Sequence, residues 1–350
     1  MRATTQRVAL LETLGKVKPA VSGKSMLPIC ASILIRAGGG QIWLTATNLE
    51  VALSASCKAA VGQQGAVAIP ACLLEAFLKT AKAERVTLSL TSPSSLKIEA
   101  GAVTTLKGFE AKDFPPVPGV RGAPIVVTGL ASALKEVSYA MAKEDSRPVL
   151  AGVCFTPKDN KIALAAADGF RLAETTVNAK GTLERMIVPS KAIYLIQKLM
   201  SGKVSIHKGD GDNIAFIGDG LVLTTHAVQG TYPNYEQIIP KNGLPLTLES
   251  QALRDALDVV SVTLGDNNIV RLEKKGTNLI VSTKDEEKGE TEAKVPAKGK
   301  GKIAFQMNYL KESLARLDGR ISLRITDPST PGVVKQGRTI HVLMPMFVQW

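Results

Sequence analysis

Asp168, His207 and His226 are the residues best suited by type to general acid–base chemistry, a carboxylate to take a proton and an imidazole to give one. Nothing completes such a site. The sequence has no GxSxG elbow, no phosphate-cradling glycine loop and no dinucleotide fingerprint. Asp168 precedes Gly169 in ADGFRL, the position of a turn residue. Cys30, Cys57, Cys72 and Cys154 are dispersed without a CxxC pair, and with His207, His226 and His341 they lack zinc-ligand spacing. Four buried free thiols in a reducing cytoplasm are expected, with no metal, no cofactor and no catalysis.

Charge points to binding instead. A net charge of +12 calls for a polyanionic partner, most simply nucleic acid. The stretch from Lys294 to Lys302 (KVPAKGKGK) is basic, contains glycine and reads as a loop. Hydrophobic residues at 45% and charged residues at 21% fit a globular chain, and 350 residues allow two or three domains. Aromatics at 4% leave the cores to aliphatic side chains. No apolar run approaches the roughly 18 residues of a membrane span, and the first twenty residues read as helix rather than export signal.

The elements that must position these residues recur three times. VAIPACLLEAFLKTA from Val67, MIVPSKAIYLIQKLM from Met186 and KIAFQMNYLKESLARL from Lys302 each read as a strand, then an amphipathic helix. Each is followed by an alternating strand: RVTLSL, KVSIHK and RISLRI. Val86, Val204 and Ile321 are then equivalent, at spacings of 118 and 117 residues. Upstream, strand–turn–strand–break–strand patterns begin at Leu27, Val149 and Asn268, each preceded by a helical stretch. The expected fold is therefore α+β, three tandem copies of one domain with two helices packed on antiparallel sheet. Clusters of Pro, Gly and Lys put the boundaries at 1–122, 123–243 and 244–350. In the helix after Pro189, Ile193, Ile196, Leu199 and Met200 form the apolar stripe, while Lys191, Tyr194 and Lys198 take another face.

The segment SRPVLAGVCFTPKDNKIALAAADGFRLAETT from Ser146 resembles the middle domain of the bacterial DNA polymerase III beta subunit, the beta sliding clamp. GKSMLPICASILI, LTATNLEVAL, DFPPVP, YPNYEQIIPK and HVLMPM extend the resemblance over essentially the whole chain in the family's order. It implies a DNA-clamp domain in three copies, closing head to tail with a second subunit into a ring lined by helices. It implies double-stranded DNA, the replicative polymerase, the clamp loader and other proteins with a short hydrophobic motif as partners, and a cytoplasmic location. For DNA, the loop residues Lys24 and Arg147 and the helix cations Lys79, Lys82, Lys135, Lys191 and Lys198 are implied, with Arg7, Lys16, Lys143 and Arg254 as further candidates. For the peptide groove between the second and third domains, the resemblance carries over Leu150, Ala167, Gly169, Phe170, Arg171 and Leu172. Pro233, Gln237 and Ile238 follow, then Val342, Leu343, Met344, Pro345 and Met346. The dimer edge would set Thr104 and Leu106 against Ser261 and Val262.

The chain departs from that family at several points. Pro148 and Val149 replace large polar residues, Phe170 stands where His is common, and Gln237 often replaces a basic residue. The tail FVQW runs past the usual end, and family members are typically acidic overall. These departures leave a second reading open, a specialised resistance or repair copy that does not serve the main replicase.

Overall fold

The computed structural model describes every residue except 24–26, 121, 144–146, 182 and 210. The first repeat holds β1 (Arg2–Gln6), α1 (Arg7–Val17), β2 (Ser32–Gly38), β3 (Gln41–Thr47), β4 (Val51–Lys58) and β5 (Ala60–Gln63). It continues with β6 (Gly65–Pro70), α2 (Ala71–Thr80), β7 (Arg85–Ser92), β8 (Ser95–Glu99), β9 (Val103–Lys107) and β10 (Phe109–Glu110). The second holds β11 (Ile125–Thr128), α3 (Leu130–Val137), β12 (Gly152–Lys158), β13 (Lys161–Ala167), β14 (Arg171–Lys180) and β15 (Met186–Pro189). Then come α4 (Ser190–Leu199), β16 (Lys203–Lys208), β17 (Asn213–Gly218) and β18 (Leu221–His226). The third holds β19 (Leu244–Glu249), α5 (Ser250–Val260), β20 (Ile269–Lys275), β21 (Asn278–Asp285) and β22 (Gly289–Pro296). It ends with β23 (Lys302–Gln306), α6 (Met307–Leu314), β24 (Arg320–Ile325), β25 (Gly332–Gln336) and β26 (Thr339–Leu343).

The three repeats share their registers. Val86, Val204 and Ile321 are buried and lie opposite Thr5, Val127 and Leu248. The strand entering each second helix pairs at its last residue with Ser32, Gly152 or Ile269. Pro70 and Pro189 stand at those helix entries, where a fixed φ and a missing N–H cost nothing. At the third, the Gln306 side chain caps α6 by accepting from Tyr309 N at 2.8 Å. Asn48, Asp168 and Asp285 make one and the same turn, each Oδ1 accepting from the backbone N–H two and three residues on. That turn starts β4, β14 and β22 alike.

Contacts divide the chain into two compact units. The first contains Met1–Ala131, Ala179–Thr182 and Lys191–Ala227; the second contains Ser132–Asn178, Leu183–Ser190 and Val228–Trp350. The second repeat is thus shared out, because its two sheets each continue into a neighbouring repeat. Within the first unit β18 pairs antiparallel with β4, Thr225 opposite Val51. Within the second, β26 pairs with β14 in the same manner, Leu343 opposite Arg171. Such long-range ladders bind consecutive repeats by backbone hydrogen bonds and a shared core.

The cores are mainly aliphatic. In the third repeat Leu246, Leu253, Leu257, Leu310, Ile321 and Leu343 belong to one buried cluster. On α4, Ile193 and Ile196 are buried, as is Met200 just past its end, and Lys191, Tyr194 and Lys198 are exposed, while Leu199 is only half-buried. Cys30, Cys57 and Cys154 are buried, but Cys72 is exposed. It lies in the first turn of α2, off the buried stripe of Ala71, Leu74 and Leu78.

Candidate functional site

The turn after β13 fixes the groove residues. Gly169 has φ +96°, a conformation that excludes a side chain at little cost only for glycine. Asp168 Oδ2 accepts from Arg171 Nε at 3.0 Å, so the carboxylate is engaged locally. Arg171 Nη1 donates to Glu312 Oε2 at 2.5 Å, and its guanidinium lies 4.6 Å and 5.1 Å from the ring centroids of Tyr309 and Tyr139. Arg171 is only 4% exposed. It joins β14 to α6 and lines the cavity described below.

Beside it, Met344 N donates to Phe170 O at 2.9 Å, and Phe170 stacks on Tyr309 with centroids 6.0 Å apart. Phe170 (60% exposed), Ile238 and Met344 present apolar surface to solvent, as do Gly169 and Pro233. Gln237 is exposed and Met346 half-buried, its N–H donating to Ala304 O at 2.8 Å. Leu150, Ala167, Leu172 and Val342 lie beneath, in one buried cluster with Tyr232, Tyr235 and Val333. Leu172, expected to face a partner, is 1% exposed. Pro345 is also buried, and Leu343 belongs to the separate core of the third repeat. The segment bearing Pro233, Gln237 and Ile238 is held by Tyr232 and Tyr235 in that cluster and by Lys158 Nζ, 3.0 Å from Glu236 Oε1.

A cavity of about 700 Å³ adjoins this surface, lined among others by Lys143, Arg147, Gly169, Phe170, Asn308 and Tyr309. Sequence reasoning missed Asn308, Tyr309 and Tyr139. Tyr309 had a signal: it takes the place of Leu73 and Ala192 in the other repeats, three residues into each helix entry. Below the site, Tyr139 donates to or accepts from His341 Nδ1 at 2.7 Å. Burial, with Arg316 nearby, pushes the His341 imidazole down to about 4.

The basic candidates divide by what they touch. Lys24 lies outside the described residues. Lys82, Lys135 and Lys198 are exposed and have no ion pair among the described residues, and Arg147 lines the cavity just described. Lys79 and Lys18 share Glu75, at 2.9 Å and 2.5 Å, and hydrogen bonds from both lower the carboxylate's pKa. Lys191 pairs with Glu50 at 2.5 Å. Arg7 and Arg254 donate to carbonyls at the ends of α2 and α6, Leu78 O and Leu314 O. Lys16 donates to Asp219 O. On β9, Thr104 and Leu106 are half-buried; Ser261 donates to Asp258 O and Val262 is 77% exposed.

Comparison with known proteins accounts for this arrangement. Family models for the N-terminal, central and C-terminal domains of the DNA polymerase III beta subunit match residues 1–118, 125–234 and 236–346. The beta sliding clamp of Pseudomonas putida is 28% identical, covering 99% of this chain and all of that one. The solved DNA polymerase III subunit beta of Pseudomonas aeruginosa superposes with a TM-score of 0.91 at 26% identity, over 99% of this chain and 100% of the other. A sliding clamp from Bartonella birtlesii, solved bound to griselimycin, gives 0.89 at 27% identity over 99% and 100%. With three domain models covering nearly its whole length, this chain belongs to the DNA polymerase III beta subunit family.

Proposed function

We propose that two copies of this chain, each of three domains, join head to tail into a ring around duplex DNA and tether the replicative polymerase to it. The chain then acts as a processivity factor without catalysis, loaded by a clamp loader, with Phe170, Ile238 and Met344 receiving a partner's short hydrophobic motif. One observation carries this reading. The repeats are joined by the same antiparallel junction twice, β4 to β18 and β14 to β26, and its third instance is left open at both ends. Among the described residues β22 pairs only with β21, and β9 only with β8.

The registers predict the closing contact. Val51 and Arg171 each lie three residues past the shared turn, as Lys288 does. Thr225 and Leu343 each lie three residues past Val222 and Ile340, whose counterpart on β9 is Val103. Leu106 of one subunit would therefore oppose Lys288 of the next, and Thr104 would oppose Glu290, with Ser261 and Val262 beside the seam.

Primer extension by the cognate polymerase on a long template tests the two surfaces separately. Leu106→Asp should leave a monomer by sedimentation and abolish stimulation. Met344→Asp should remain a dimer, yet lose stimulation and peptide binding. A dimer that survives Leu106→Asp, or full stimulation by Met344→Asp, defeats the corresponding half of the reading. The net charge of +12 favours testing the specialised-copy alternative in the same assay, with stimulation of the main replicase as the discriminating result.

A further inference from the structure

We propose that the third repeat carries a second contact for a phosphodiester backbone, on the face of its β19–β24–β25 sheet turned away from α5 and α6. The helix-facing side of that sheet is fixed by packing: Leu246, Leu248, Ile321, Leu323 and Ile325 share a buried cluster with Leu253 and Leu310 of the two helices. Strand alternation then turns Ser322 and Arg324 to the opposite face. Lys335 lies opposite Ser322, and Pro245 and Thr247 lie opposite Arg324 and Ser322, so all share that face. Lys298 joins them through a two-way bridge, Thr247 N to Lys298 O at 2.8 Å and Lys298 N to Thr247 O at 3.0 Å. Lys241 closes the group, its carbonyl accepting from Arg324 Nη1 at 3.4 Å, and Lys300 follows Lys298 by two residues.

The basic loop of the sequence is a built feature. Gly299 has φ +125°, and a Cβ there would sit 2.3 Å from Pro245 O. Only glycine permits this approach, so Lys298 and Lys300 flank a backbone pinned against β19. Among the described residues none of Lys241, Lys298, Lys300, Arg324 and Lys335 has a carboxylate at ion-pair distance; neighbouring Glu249 is taken by Arg320 at 3.5 Å. Asp327 is turned inward on its own loop, accepting from Ser329 N and Thr330 N. In the other repeats the position of Arg324 is held by Ser89 and His207, so the patch is particular to the third.

The partner is chosen by chemistry. From the loop across β19 and β24 to β25 is about 14 Å at the usual strand spacing, about the rise along a duplex axis of four phosphates of one strand. Val333, opposite Arg324 on this face, is buried in one cluster with Tyr232 and Tyr235, so the cations border that cluster and their own neighbours are proline, threonine and serine. Such a surface suits phosphate attraction better than a protein interface, whose centre disfavours lysine. Such contacts position a strand without reading its sequence. This surface does not depend on the cations of the helices.

The test uses the full chain with Lys298, Lys300, Arg324 and Lys335 all changed to Gln, and a labelled single strand and duplex titrated from about 50 to 200 mM salt. Loss of four phosphate contacts should lower duplex affinity at least about tenfold and flatten the salt slope by about three to four. The lysine-to-arginine version, Lys298→Arg with Lys300→Arg and Lys335→Arg, should bind as the parent does. The same loss should appear when Lys191→Gln and Lys198→Gln are already present. Unchanged affinity and slope in the Gln variant, with an unchanged melting temperature, overturns the proposal. So does tighter binding of poly-glutamate than of DNA at equal charge, which would make the surface a protein-docking site.

Discussion

Arg171 and His341 show how a single residue's setting can differ from what its type suggests. An arginine beside a hydrophobic groove reads as a rim contact, yet this one is closed in by Asp168, Glu312 and two tyrosine rings. Its charge is affordable only because both carboxylates answer it. His341 is the reverse case, a titratable ring kept neutral by burial under Tyr139, with the Arg316 and Arg171 guanidinia close to that tyrosine. Its folded-state value of about 4 lies below the ordinary imidazole value of 6.5. The unfolded chain therefore binds this proton first as pH falls. The stability it contributes is complete above pH 6.5 and is lost as the pH drops toward 4, about 3 kcal/mol in all. His341→Gln, which keeps a hydrogen-bond partner for Tyr139 and cannot titrate, should flatten the pH dependence of urea unfolding across that window. An equal slope in the parent and the variant would show that other groups govern acid sensitivity.

Elements here obey local rules that the sequence exposes, and long-range rules that it hides. Gly15 lies within α1 with no heavy atom within 4 Å of where a Cβ would go. Gly15→Ala should therefore stabilise the chain by about 0.5–1 kcal/mol, the helix cost of glycine. Gly152 sits opposite Pro189 at the start of β12, and a Cβ there would lie 2.4 Å from Val188 O. Gly152→Ala should destabilise by about 1–3 kcal/mol, since the obstruction is backbone within a ladder. Thermal unfolding of the two variants should move in opposite directions, and a shared direction would refute the packing argument. The same contrast explains what was legible. Alternation in RVTLSL, KVSIHK and RISLRI, and the proline-marked helix entries, revealed three repeats because those signals are local. The pairing of β4 with β18, and of β14 with β26, joins residues about 170 positions apart in chain order and leaves no periodic mark. For that reason the candidate groove residues came from resemblance alone, and which of them face solvent was not legible. Leu172 and Val342 look like contact residues in sequence and become core because the pairing of β14 with β26 sets them opposite each other, in one buried cluster with Tyr232, Tyr235 and Val333.

At the scale of the whole molecule, the proposed ring changes what affinity means. In the proposed ring, exposed Lys82, Lys135 and Lys198 would supply phosphate attraction, which carries no base sequence. Several of their neighbours are partly neutralised, Lys79 by Glu75 and Lys191 by Glu50, so the pull on any one phosphate is modest. Open-chain binding of that kind weakens steeply as counterions are added, because each contact must displace them. Topological linkage does not. A ring closed on a covalently closed duplex can leave only by opening a seam or by the DNA being cut. After loading onto a closed circle by the cognate loader, retention should therefore persist through a rise from about 50 to 500 mM salt, as followed by gel filtration. Cutting the circle once should release the protein within minutes by sliding from the ends, and blocking those ends with bulky protein should restore retention. If retention on the intact circle fell with salt as steeply as binding to a linear fragment, the chain would be holding DNA by surface charge, and the ring would have no part in it.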